Sequence, residues 1–332
     1  MAKRMKSKIQ PAVMKLTFLI DKPKGGGNIP SGQFQTRFID LSQVASIVNR
    51  RFYRQGLNWA VANFKFTSPK DCQVLVQKLP NTWVMSNAWE KGFRAWRRQQ
   101  NDALNDGQQE SVRAKYNDFK IFADKYHLID GFSQNLMPRT FVFDSDTQTS
   151  TSQYATPGEW EASQIVIPNF VTVGTNYEPF IQAVGEDVGG TGGSISLIKA
   201  YEDSRSVPQS PDPLVPTGVI SADNIYRAMF DVGDNMEDVM ANVVGKNDEL
   251  PYPQLNYPGG DTQMSGLELH DSNSITSTTI GGMTNIMGGN FPCGLIAVTV
   301  NNTSDTAIGV ALELTLVPGT HRGYLCEPMT DM

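Results

Sequence analysis

Asn58–Leu79 reads NWAVANFKFTSPKDCQVLVQKL and is the chain's strongest strand signal. It divides into two short apolar-rich runs, Asn58–Thr67 and Cys72–Leu79, separated by SPKD, which has the composition of a turn. Two extended runs across a polar turn predict a β-hairpin.

Strand signals continue on both sides. Toward the N-terminus, Val13–Ile20 alternates, with Met14, Leu16, Phe18 and Ile20 on one face and Lys15 and Thr17 on the other. That period of two predicts a strand with one wet side. Lys22–Pro30 (KPKGGGNIP) is a loop by its Gly and Pro content, and Gln33–Ile39 is extended. Asp40 then caps a short helix whose apolar positions are Leu41, Val44 and Ile47. Toward the C-terminus a helical pair follows. Met85, Trp89, Phe93 and Trp96 share one face of the first helix, with Lys91, Arg94 and Arg98 opposite. Val112, Tyr116, Phe119, Ala123 and Tyr126 share one face of the second, and Asn105–Gly107 separates the two. Beyond residue 137 strands are expected at Thr140–Phe143, Trp160–Ile167, Ser194–Ala200, Cys293–Val300 and Ala307–Val317. A further helix is expected over 221–244, with Ile225, Met229, Val232, Met236, Val239 and Val243 in register and Gly245 at its C-cap.

Short strands, long loops and inserted helices, without strand–helix alternation, argue against a doubly wound α/β fold. The expectation is an all-β protein: a single jelly-roll β-sandwich of eight or so antiparallel strands, with helices inserted in long loops near 83–126 and 221–244. Residues 1–12 form a basic flexible arm and 13–332 the sandwich domain. A chain of 332 residues with 39% hydrophobic content is ample for a buried core. No apolar run approaches the roughly 20 residues a membrane helix needs, so no membrane insertion is expected. MAKRMKSKIQ is basic but lacks the apolar segment of a secretory signal. Cys72, Cys293 and Cys326 are too few and scattered for a disulfide framework.

Catalytic constellations are poorly represented, and neither enzymatic activity nor a cofactor is expected. His127, His270 and His321 are isolated, with no Cys, Asp or Glu at metal-ligand spacing, and read as surface or satisfied structural residues. Gly189–Ser194 (GGTGGS) lacks phosphate-loop spacing, and Gly245–Lys246 lacks the rest of a Walker loop. Glu159/Glu161 and Glu186/Asp187 pair carboxylates; the first two would share a solvated strand face. A glycan-binding or glycan-hydrolysing sandwich using Glu159 and Glu161 is the alternative these residues leave open.

Charge is more informative. Residues 1–100 carry 18 Lys and Arg against 4 Asp and Glu, whereas the remainder carries 10 against 30, under a net charge of −6. Lys3, Arg4, Lys6 and Lys8 form an acid-free arm, continued by Lys15, Lys22 and Lys24. Such a segment binds polyanions through counterion release, without fixed geometry. In a second cluster, Arg50, Arg51 and Arg54 are interleaved with Phe52 and Tyr53, suited to phosphate contacts and base stacking. Arg51 and Arg54 equally suit structural ion pairs.

Five strings stand out along the chain: NRRFYRQGLNWAVANFKF (Asn49–Phe66), TWVMSNAWE (Thr82–Glu90), PGEWEASQIVIP (Pro157–Pro168), YEDSRSVPQSPDP (Tyr201–Pro213) and LPYPQLNYPGG (Leu250–Gly260). Together they resemble the capsid proteins of circular, Rep-encoding single-stranded DNA viruses. The resemblance implies a jelly-roll coat subunit, an icosahedral homo-oligomer of 60 copies or a multiple, and an encapsidated circular single-stranded DNA genome. It also implies a host receptor, and a place in the virion and, during assembly, in the host nucleus or cytoplasm. The arm departs from the long Arg-rich arms of such groups, since Arg4 is its only arginine. A small RNA virus coat remains an alternative.

Overall fold

The computed structural model describes residues 11–21, 27–107, 118–144, 149–168, 175–206 and 266–332. The expected helix over 221–244, most of the expected arm and the string at Leu250–Gly260 lie outside them.

The first part of the chain forms β1 (Lys15–Ile20), β2 (Phe34–Asp40), α1 (Leu41–Asn49), β3 (Leu57–Thr67), β4 (Cys72–Lys78) and α2 (Trp83–Asp106). A middle region holds α3 (Lys125–Asp130), β5 (Arg139–Asp144), β6 (Thr149–Tyr154), β7 (Ile167–Pro168), β8 (Asn176–Tyr177), β9 (Phe180–Gln182), β10 (Ser194–Ser196) and α4 (Leu197–Ser206). The last part forms β11 (Glu268–Ile275), β12 (Met283–Phe291), β13 (Leu295–Asn302), β14 (Val310–Leu316), β15 (Pro318–Gly319), β16 (Gly323–Tyr324) and β17 (Cys326–Pro328).

Eight of these strands make two antiparallel sheets, β1-β14-β3-β12 and β11-β4-β13-β2, with β17 paired to the start of β3. Their alternating apolar residues face each other and form a β-sandwich. Phe18, Trp59, Phe64, Phe66, Ile286 and Leu312 from one sheet meet Ile39, Val74, Val76, Ile296, Val298 and Val300 from the other. Burial of each such side chain is worth about 1.5–3 kcal/mol.

Both strands of the opening stretch form, but they do not pair with each other. β3 lies between β14 and β12, and β4 between β11 and β13, so SPKD carries the chain across the core. Each strand turns one apolar face to the same core, a pattern equally satisfied by a hairpin and by a crossing between sheets. Of the eight strands, only β4 and β11 are consecutive within one sheet.

A second apolar cluster covers the outward side chains of Phe38, Leu295 and Ala297. Thr82 caps α2 by accepting from the Met85 amide, and the helix buries Met85, Trp89 and Trp96, leaving Lys91, Arg94 and Arg98 exposed. Gly92 permits close packing on α4, because a Cβ there would lie 2.5 Å from Leu197 Cδ2.

Three other segments differ from the sequence expectation. Phe119–Ala123 is extended rather than helical. Its amide and carbonyl groups bond outward to Ile181, Ala183, Ser163 and Gln55, which replaces the helical i−4 pattern. Trp160–Ile167 is a loop apart from a bridge at Gln164 and the start of β7; Trp160 and Ser163 are held inward by partners elsewhere in the chain. Ser194–Ala200 splits into β10 and the first turn of α4.

Candidate nucleic-acid interface

The sequence-predicted cluster at 50–54 lies where α1 ends. Arg50 adopts a left-handed conformation (φ 52°, ψ 42°), and the Arg50 and Arg51 amides donate to the Ile47 and Ser46 carbonyls. Glycine usually fills that position; a side chain there costs on the order of 1–2 kcal/mol. Beyond it the chain is extended, and alternation sorts the side chains. Phe52 (48% exposed) and Arg54 face out, while Tyr53 and Gln55 are buried. The Ser46 hydroxyl accepts from the Tyr53 amide at 2.9 Å, and the Ser42 hydroxyl donates to the Arg54 carbonyl at 3.2 Å.

Tyr53 therefore belongs to the core and presents no stacking face. It packs against Trp59 and Tyr324, and its hydroxyl donates to the Arg322 carbonyl at 3.0 Å. Arg322, also left-handed (φ 50°), sits in the turn between β15 and β16 and donates from Nη1 to the Phe52 carbonyl. Lys120 adds a further cation, paired with Asp118 and lying 4.5 Å from the Trp160 ring and 5.8 Å from the Phe52 ring. The sequence reading missed Arg322 and Lys120; the turn-like Gly319–Gly323 composition marks a loop but not its destination.

Phe52 is a wall shared by two hollows. One, of about 530 Å³, is lined by Phe52, Arg54, Gly56, Leu57, Trp89, Phe93, Phe119, His321 and Arg322. The other, of about 270 Å³, lies among Gln43, Arg50, Arg51, Pro157, Glu159 and Trp160. Burial and the neighbouring Arg322 lower the pKa of His321, so it is neutral at pH 7. Among the described residues neither Arg50 nor Arg54 has an ion-pair partner.

The remaining predicted residues fall into three groups. Arg51 donates from Nη1 to the Pro11 carbonyl at 3.3 Å, a tether to the N-terminal segment. Val13 is held beside it: its amide donates to Asn49 Oδ1, and its carbonyl accepts from the Tyr324 hydroxyl. The segment leading from the basic arm thus lies against the Arg cluster. Lys15 is elsewhere, 68% exposed on β1 and 3.0 Å from Glu313, a pair worth little in water. Lys3, Arg4, Lys6, Lys8, Lys22 and Lys24 lie outside the described residues.

A buried polar network underlies the patch. Asp40, fully buried at the N-cap of α1, accepts from the Ser42 and Gln43 amides through Oδ1. Its Oδ2 accepts from Gln55 Nε2 at 3.0 Å and Trp160 Nε1 at 2.9 Å. Burial pushes this carboxyl up to about 6, against the four donors that pull it down. Gln43 continues the network to Asn135, which meets His127 Nε2 at 2.9 Å, while His127 Nδ1 accepts from the Ala123 amide at 3.1 Å. Burial lowers His127 to about 3, so it is a neutral structural residue.

Glu159 and Glu161 flank Trp160 in an exposed loop, not on a strand. Trp160, with its indole N–H on Asp40, is only 8% exposed and presents no sugar platform. Glu186 pairs with Lys125 and Asp187 with Lys199. Among the described residues no three His, Cys, Asp or Glu are grouped to hold a metal, and no helix is long and apolar enough to cross a membrane. No family model, curated protein or solved structure matches the chain.

Proposed function

We propose that this chain is a viral coat protein, a jelly-roll subunit that assembles into an icosahedral shell and packages single-stranded DNA. The observation that carries this reading is the strand order. Sheets β1-β14-β3-β12 and β11-β4-β13-β2 interleave along the chain as the strands of an eight-stranded jelly roll do. The sandwich supplies a rigid wedge; the long connection between β4 and β11, with α2 and α4, supplies surface for contacts between copies. The Arg50–Arg54 patch and the chain leaving Pro11 meet on one side, which suits a subunit whose basic arm turns inward to the genome. The resemblance of five strings to single-stranded DNA virus capsid proteins points the same way.

Electron microscopy of the purified chain tests the proposal, with closed particles of uniform diameter expected. Nuclease digestion of the extracted contents should show DNA, sensitive to a single-strand nuclease. Deleting residues 2–12 should leave particles that form but hold less nucleic acid. A chain that remains monomeric and ignores polynucleotides at low ionic strength would end the reading.

A further inference from the structure

We propose that the larger hollow is a pocket for one unpaired nucleobase, with Phe52 as its stacking face and Arg54 and Arg322 at its rim as phosphate partners. This rests on the coat reading and adds to it a defined single-strand site within the shell subunit.

The two hollows beside Phe52 differ in chemistry. The smaller includes Glu159, whose carboxylate opposes a phosphate. The larger has, among the described residues, no carboxylate in its lining, two guanidinium groups and an aromatic floor. Its volume of about 530 Å³ lies in the ordinary range for small-ligand sites and accommodates a base with its sugar. Trp89 and Phe119 are 7% and 4% exposed, and Gly56 leaves room for the Trp89 ring, since a Cβ there would lie 2.5 Å from Trp89 Cζ2.

Phe52 stays half exposed although apolar cores lie on either side of it. The Arg322 contact to its carbonyl and the left-handed turn at Arg50 hold its backbone in place. The ring lies 6.0 Å from that of Trp160 and is otherwise about half exposed, which leaves area on which a base can stack; every base offers a π-face, so recognition is sequence-tolerant. The guanidinium of Arg54 and that of Arg322 belong to chain segments more than 250 residues apart, brought to one rim only by the fold. A base within a duplex is stacked on both sides and cannot enter, so the pocket selects single strands.

Fluorescence anisotropy of a labelled oligothymidylate of about ten nucleotides, against a duplex of equal length, tests this with the full chain before assembly. Wild type should prefer the single strand. Phe52→Ala should weaken single-strand binding roughly tenfold while leaving duplex binding, which is phosphate-driven, unchanged. Phe52→Leu, which keeps an apolar side chain without the ring, should show the same loss and serves if the alanine variant misfolds. Arg54→Gln and Arg322→Gln should each lower the slope of log affinity against log salt by about 0.7. Equal losses on both probes, or none on either, would overturn the pocket. Particles that form normally while Phe52 variants bind like wild type would remove the pocket alone and leave the coat reading standing.

Discussion

Asp40→Ala should destabilise the fold more at pH 4 than at pH 7. The substitution removes the N-cap of α1, at about 1 kcal/mol. It also strips an acceptor from two buried donors, Gln55 Nε2 and Trp160 Nε1, at roughly 2 kcal/mol each. The gross loss is about 5 kcal/mol. Against it stands the burial of the carboxylate itself. The carboxyl titrates at about 6 when folded and at 3.8 in an unperturbed chain, so its ionisation costs the folded state about 3 kcal/mol. Below the unfolded value both states are protonated and this penalty is absent. As pH rises toward the folded value the unfolded chain ionises first, and the wild type loses stability until the folded carboxyl has titrated too. The variant carries no such group. It should therefore lose about 5 kcal/mol near pH 4 and only about 2 kcal/mol at pH 7. Urea unfolding followed by tryptophan fluorescence at pH 4, 5.5 and 7, at fixed protein concentration, measures both proteins, and their difference isolates Asp40. A destabilisation that grows with pH would mean instead that the four donors outweigh burial and hold the folded carboxyl below 3.8, the opposite of what burial of Asp40 requires.

Two further outcomes follow from local geometry. Gly288→Ala places a Cβ 1.9 Å from the Val61 carbonyl oxygen and should cost about 3 kcal/mol in chemical denaturation, whereas Gly189→Ala, whose Cβ meets nothing within 4 Å, should shift stability by less than about 0.5 kcal/mol. Tyr324→Phe removes a hydroxyl that donates to the Val13 carbonyl and accepts from Asn49 at 2.7 Å each; stability should fall by about 1 kcal/mol, and mass spectrometry should find faster hydrogen exchange over Val13–Leu16.

Elements whose signal is local were legible in the amino-acid order alone. Alternation of Leu16, Phe18 and Ile20 marked β1, and the apolar runs marked β3, β4, β13 and β14. Asp40 announced the start of α1, and Met85, Trp89 and Trp96 announced the buried face of α2. Two sandwich strands escaped notice for opposite reasons. β11 (ELHDSNSI) is an edge strand whose residues are mostly exposed, so little apolar pattern was required of it. β12 carries Gly288 and Gly289, glycines that read as a loop but are demanded by the Val61 carbonyl and the His270 ring. In the candidate site, Arg50, Arg54 and Phe52 were legible as a basic and aromatic string, because they are neighbours in the chain. That Tyr53 turns into the core, that Arg322 and Lys120 join the patch, and that Lys15 stands apart were decided by packing. So was the crossing from β3 to β4, where a turn composition fits a hairpin and a sheet-to-sheet connection alike. Side-chain period and capping are properties of a few adjacent residues, but the identity of a strand's partner depends on which distant edges compete for its hydrogen bonds, and only the assembled sandwich resolves that competition.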